Sequence, residues 1–232
     1  VNEIWDFSDP DLRQLLKKKQ TVIIPVGSLE QHGPHLPVST DSDIVTEIAR
    51  RVAKKCSFLL LPTVTYGVSF EHAPFFNLSL SKLTLQNALV DLCVSLAQNN
   101  IHTIIILNGH HGNQVALNRL NGMKGFGKKT KVFVFSYWHF MKQEFDHAGF
   151  VETSLMLAIS DRVNMKNAKK GFDVHKLAPK QREKVSRLAA THFIKATGNG
   201  VWGDPTKATK KNGDAILTQI VQNIAKTVSK LT

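Results

Sequence analysis

Thiols are nearly absent from this chain: Cys56 and Cys93 are the only two in 232 residues. Neither has a cysteine or histidine partner at metal-ligand spacing. That excludes a disulfide framework and a thiolate zinc site, and it points to a reducing compartment, the cytoplasm. Long apolar runs are missing too. No stretch of eighteen apolar residues occurs, so no helical membrane span is expected. The first residues, VNEIWDFSDPDLRQ, are acidic and polar, unlike a secretory leader. Acidic residues are scarce, 18 against 30 Lys and Arg, leaving a formal net charge of +12. The basic excess is densest over 166–187, with eight basic residues against two acidic ones. Such a block is either a solvated face or a surface for an anionic partner, nucleic acid or a phosphorylated substrate. Aromatics are not interleaved with these lysines, which weighs against nucleic acid.

What is present fits one globular domain over 1–232. Hydrophobic content of 42% and charged content of 21% allow a sizeable core without disulfides. TVIIPVG (21–27), FLLLPTV (58–64), HTIIILN (102–108) and KVFVFSY (131–137) read as strands, apolar on both faces. Between them, Ile44, Val45, Ile48, Ala49, Val52 and Ala53 recur at helical spacing, and 83–98 and 113–126 also read as helices. Residues 66–81 have no clean period and read as a long loop. Leu217, Ile220, Val221, Ile224, Val228 and Leu231 make the apolar stripe of a closing helix. Alternating strands and helices of this kind predict an α/β fold, three layers α/β/α around a mostly parallel sheet. The stretch 161–205 is irregular and basic, an insertion or a subunit-contact region.

In such a sheet, ligands bind beyond the carboxyl ends of the strands, and the unusual residues lie there. Strand 21–27 runs into Glu30, His32, His35 and Asp41; strand 102–108 runs into NGHHGN with His110 and His111; strand 131–137 runs into Trp138, His139 and then Asp146, His147 and Glu152. Glu30 and His32, two apart, project to one side of extended backbone. Each residue alone has an ordinary reading as well: Asp41 can cap a helix, and Glu152 can favour a helix N-terminus. Together, imidazoles and carboxylates without thiolates suit one or two divalent ions, Zn, Mn or Fe(II), and metal-assisted hydrolysis. His147 is the candidate for moving protons. His111, Ser69, Asp146 and Trp138 are the candidates for substrate contact.

The segments PVGSLEQHGPHLPVSTD, NGHHGN, DHAGFVETS and GVWGDPTKAT resemble, in order, the signature segments of the creatininase (creatinine amidohydrolase) family. The resemblance implies a creatininase-like fold, a one- or two-metal centre, hydrolysis of a small-molecule amide and a homo-oligomer, typically a hexamer. It places Glu30, His32, Asp41 and His110 on metal-ligand positions, Asp41 as the bridge, and His147 on the proton-transferring position. Creatininase itself carries a Glu two residues after the His of NGH, where this chain has Gly112; Glu152 is the candidate for the missing ligand. Other departures include APFFNLS in place of a Phe-Pro-Gly-Thr stretch, and Phe150 where an acid is common. These turn the expectation from creatinine towards formamidopyrimidine nucleotide deformylases, with mycofactocin-type peptidases and creatininase proper as alternatives. A basic nucleic-acid or phosphate-binding protein is the alternative of another class.

Overall fold

The computed structural model describes all residues except 19, 124, 127, 128, 175, 176 and 232. The central strands are β2 (Thr21–Val26), β4 (Thr103–Asn108) and β5 (Lys131–Ser136), paired with Thr21 opposite Thr103 and Thr103 opposite Lys131. β1 (Asn2–Glu3) and β3 (Leu59–Leu60) extend the sheet, which runs β1-β3-β2-β4-β5 with every neighbouring pair parallel. Both faces of the sheet are covered, which is why its strands are apolar throughout. Ile23, Ile105 and Leu107 pack against α2 (Thr40–Cys56), α5 (Phe150–Ile159) and α8 (Lys210–Val228). Their neighbours Val22, Ile24, Val26, Ile104 and Ile106 pack on the opposite side against α3 (Lys82–Gln98) and α4 (Gln114–Asn118). Leu15 and Leu16, from α1 (Asp9–Leu16), lie against this second core. The result is the three-layer α/β/α arrangement. The apolar stripes of α2 and α8 are buried as their spacing requires.

Some elements differ from their sequence patterns. Strand 58–64 keeps two ladder residues and one bridge, Val26 to Val64, because Pro62 has no N–H to give a ladder. The helix expected over 113–126 is a 3-10 turn (His111–Asn113) and the short α4; Gly122 at φ 71° then reverses the chain, and its N–H donates to Val132 O at 3.0 Å. Lys124 lies outside the described residues. The stretch 161–205 is not irregular throughout: it contains α6 (Pro179–Ala189) and α7 (Phe193–Thr197). Few apolar residues recur in α6, whose start is fixed by Pro179 and by the Ala178 N–H donating to Gln181 Oε1 at 3.0 Å. Lys176 of the basic block lies outside the described residues. Among the described residues, no helix is long and apolar enough to cross a membrane.

Strand order locates the site. α2 leads from β2 to β3 on one face, and α3 leads from β3 to β4 on the other. The loops leaving the carboxyl ends of β2 and β4 therefore part, and a crevice opens between them.

Candidate metal centre

Backbone geometry at the two strand ends brings the acidic and imidazole groups together. Gly109 follows β4 directly beneath α2, and a Cβ there would lie 2.7 Å from Val45 Cβ and 2.8 Å from the Asp41 carbonyl oxygen. Only glycine lets the strand end approach Asp41 this closely. Asn108 Oδ1 accepts the His110 N–H at 3.1 Å. Asn113 Nδ2 donates to Gly27 O at 2.9 Å, and its Oδ1 accepts the Val68 N–H at 2.8 Å. The two asparagines of NGHHGN thus tie the loops after β2 and β4 to the segment that follows Gly67.

Within this frame Asp41 does not cap α2. Its carboxylate turns to the histidines, with Oδ1 3.2 Å from His32 Nε2 and Oδ2 3.0 Å from His110 Nδ1. Glu30 Oε2 is 3.2 Å from His110 Nε2, and Glu152 Oε2 is 3.6 Å from His32 Nε2. Three sets of side chains bring their ligand atoms within 4.8 Å of one another: Glu30, Asp41 and His110; His32, His147 and Glu152; and Glu30, His72 and His147. All of these residues are buried. Glu30 Oε1 and Asp41 Oδ2 make no hydrogen bond among the described residues. Buried carboxylate oxygens without donors are costly, and a divalent cation is what such a donor set fits. Mixed carboxylate and imidazole ligation suits Zn, Mn or Fe(II).

Charge in the site is strongly coupled to these distances. Burial opposes a proton on His32 and on His110, yet Asp41 and Glu152 around His32, and Glu30 and Asp41 around His110, carry each to about 10. The same two rings outweigh burial at Asp41 and hold it well below the usual carboxylate range. Burial pushes Glu152 up. It also raises Glu71, against the pull of His110. Burial, with His32 and His72 nearby, pushes His147 well below its ordinary value and leaves the ring neutral.

His147 and Glu152 come from the turn that opens α5. Ala148 there has φ 50°, an uncommon conformation for a residue with a side chain. Its N–H donates to Glu152 Oε2 at 2.7 Å, which folds that carboxylate back towards His32. Asp146, a candidate for substrate contact, borders the cavity, but its carboxylate accepts the Val151 N–H at 2.8 Å and the Glu152 N–H at 3.3 Å. It caps α5, and burial raises its pKa to about 7 against those bonds. We expect Asp146→Ala to lower unfolding stability by about 1–2 kcal/mol in denaturant titrations, the usual cost of a lost cap.

A cavity of about 340 Å³ opens over the centre. Of the other candidates for substrate contact, His111 lines it, whereas Ser69 and Trp138 do not. Ser69 is fully buried beneath its loop, and Trp138 packs on Phe145 with ring centroids 4.7 Å apart. His35 stands apart from the three ligand sets and fastens its loop to α5 through Thr153 Oγ1 at 2.8 Å. Several residues near the centre carried no sequence signal. Gln31, between Glu30 and His32, places its amide nitrogen 2.9 Å from His72 Nδ1 and 3.1 Å from His147 Nε2. Its Oε1 accepts the Gly33 N–H, so the amide nitrogen faces the two rings; His147 Nε2 also lies 3.1 Å from the Gln31 carbonyl oxygen, and an N–H donated there leaves Nδ1 free to accept a proton. His72 Nε2 lies 3.1 Å from Glu30 Oε1. The Phe193 ring of α7 packs with centroid 4.7 Å from both His72, tilted, and His147, edge-on, and Trp202 pairs with His147 through the backbone. Glu71 and His72 fall in the aperiodic loop. The adjacent Glu71-His72 pair was the one available hint.

A parallel α/β/α sheet with buried carboxylates and imidazoles converging at its switch point defines the class of metal-dependent hydrolases. Residues 5–228 match the creatininase (creatinine amidohydrolase) family model, and the chain belongs to that family, whose members are metal-dependent amidohydrolases acting on C–N bonds. It is 31% identical over 246 residues to a mycofactocin precursor peptide peptidase of Mycobacterium tuberculosis, covering 99% of this chain and 93% of that protein. It is 29% identical over 148 residues to a 2-amino-5-formylamino-6-ribosylaminopyrimidin-4(3H)-one 5'-monophosphate deformylase of Methanosphaera stadtmanae, covering 62% of each. Among solved structures, a manganese creatininase superposes with TM-score 0.78 at 25% identity, covering 99% of this chain and 98% of that one. A Zn-Zn form of a mutant creatininase gives 0.77.

Proposed function

We propose that this chain hydrolyses an amide bond of a short, peptide-like substrate at a two-ion centre. Glu30, Asp41 and His110 would hold one ion, and His32, Asp41 and Glu152 the other. The observation that carries this reading is Asp41, whose Oδ1 lies 3.2 Å from His32 Nε2 and whose Oδ2 lies 3.0 Å from His110 Nδ1 at the edge of a cavity. Divalent ions bound there would supply a lowered pKa for a water and polarisation of a carbonyl oxygen. The chain's own residues do the rest. Gln31 orients the His147 and His72 rings, so that His147 Nδ1, 3.9 Å from Glu30 Oε1, faces the centre. His147 carries the water's proton to the leaving nitrogen as the hydroxyl joins the carbonyl carbon. Phe193 and Trp202 wall the site and keep bulk water away from this transfer.

Two observations support a peptide-like substrate over a nucleotide. The peptidase relative matches almost the whole chain, and the cavity walls are largely apolar: Phe145, Val174, Ala189, Phe193 and Trp202. The formamidopyrimidine reading keeps one observation in its favour. Arg182, from the basic stretch, borders the cavity, where a guanidinium suits a phosphate. The two are separated by a substrate panel on metal-reconstituted protein: short peptides, formamidopyrimidine nucleotides and creatinine. Peptide cleavage that a chelator stops and Mn(II) or Zn(II) restores is the expected result. Faster deformylation of the nucleotide transfers the assignment to the second reading. With ions bound and no amide cleaved, the hydrolase assignment fails.

A further inference from the structure

The space beside His110 is claimed by a residue from a different loop. A Cβ built on Gly112 would lie 2.5 Å from His110 Nε2, 2.6 Å from Glu71 Oε1 and 2.2 Å from the Val68 carbonyl oxygen. Any side chain at 112 would therefore collide with the Glu71 carboxylate and with backbone that cannot retreat. That backbone is pinned, because the Val68 N–H donates to Asn113 Oδ1 at 2.8 Å and Val68 O lies 2.9 Å from His110 Nε2. Glu71 Oε1 stands 3.7 Å from His110 Nε2 and 4.0 Å from His72 Nε2, and the residue is 8% exposed. Three carboxylates, Glu30, Asp41 and Glu71, thus press on the His110 ring, two of them with an oxygen that no hydrogen bond satisfies. Glu30 and Asp41 each face a second imidazole, His72 at 3.1 Å and His32 at 3.2 Å, whereas Glu71 has no imidazole nearer than 3.7 Å. Nothing in packing alone requires an acid here, since a glutamine has the same shape.

We propose that Glu71 supplies part of the negative charge that holds the cation of the Glu30–Asp41–His110 set, from the space a side chain at position 112 would otherwise fill. This inference rests on the two-ion reading above. Gly112 is then required for its emptiness, and the loop 66–81 is part of the metal centre as well as a wall of the cavity.

The test is Mn(II) and Zn(II) binding by equilibrium dialysis, together with thermal unfolding of chelator-stripped and metal-loaded protein. In Glu71→Gln one of two ions is expected to bind roughly 10–100-fold more weakly, the usual cost of losing a supporting carboxylate, while the other is unaffected. The rise in Tm on loading should shrink, and the stripped protein should be no less stable than wild type. If Glu71→Gln binds both ions as tightly as wild type, this proposal is overturned and the two-ion reading stands. Equal Tm losses in the stripped and loaded forms, with binding unchanged, would make Glu71 structural and also overturn it. If wild type itself retains no ion, the broader reading falls first.

Discussion

Asp41→Asn is expected to leave a folded chain that retains neither ion at stoichiometric levels and has lost at least roughly three orders of magnitude in kcat/KM. The magnitude follows from what the ions supply, several kcal/mol of transition-state stabilisation, at about 1.4 kcal/mol for each factor of ten. Asp41 is singled out because its two oxygens face different rings, Oδ1 towards His32 and Oδ2 towards His110. Replacing it disconnects both halves at once and strips both histidines of their nearest counter-charge. Glu152→Gln touches only the His32 half and should cost one ion. Metal analysis after gel filtration, with circular dichroism to confirm folding, distinguishes the two variants. Two ions recovered from Asp41→Asn would rule out a bridging role.

The second large effect is on pH. In the ion-free site His32 and His110 hold their protons to about 10, and each must release one before its ring can ligate a cation. At neutral pH metal binding should therefore expel protons. Apparent affinity should climb roughly tenfold per pH unit for each proton displaced, levelling off near pH 10. Calorimetric titration in buffers of different ionisation enthalpy measures the release directly. Stability follows with the opposite slope. Both rings bind protons more tightly folded than unfolded, so stripped protein has their full contribution below about pH 6.5 and loses it as pH rises towards 10. The loaded protein has a cation in place of those protons and should not show that decline. Parallel Tm profiles for the two forms between pH 6.5 and 9.5 would contradict this account.

The parts of the molecule legible in the sequence are those written in local pattern. Both-sided apolar runs at 21–26, 103–108 and 131–136 predict the buried parallel strands, and the helical stripes predict α2 and α8. Glu30, His32, Asp41, His110 and Glu152 stand out because polar, titratable residues beyond strand ends are a local anomaly. Residues whose role depends on distant chain stayed hidden. Glu71 and His72 reach the centre only because Asn113 holds Val68, a contact across 45 positions. Gln31 was masked by its neighbours, since an extended chain would point it away from Glu30 and His32. Asp146 read as a candidate for substrate contact, and only the position of the α5 backbone shows its carboxylate accepting the Val151 and Glu152 N–H groups. The helix α1 went unread although Ser8 and Pro10 mark its start, because the acidic stretch offered no clear apolar period.

The floor and the walls of the cavity come from different parts of the chain. Asp41, His110 and Glu152 are anchored at strand ends and helix starts of the three-layer scaffold, whereas Arg182, Ala189 and Phe193 belong to the α6–α7 segment, outside the sheet. Selection can therefore act on the two separately. On the proposed reading, rewriting 179–197 outside Phe193 should alter which molecule is admitted while leaving Asp41, His110 and Glu152 in place. For engineering, that segment is the natural cassette to exchange, with Phe193 kept wherever the His72 and His147 rings must stay covered.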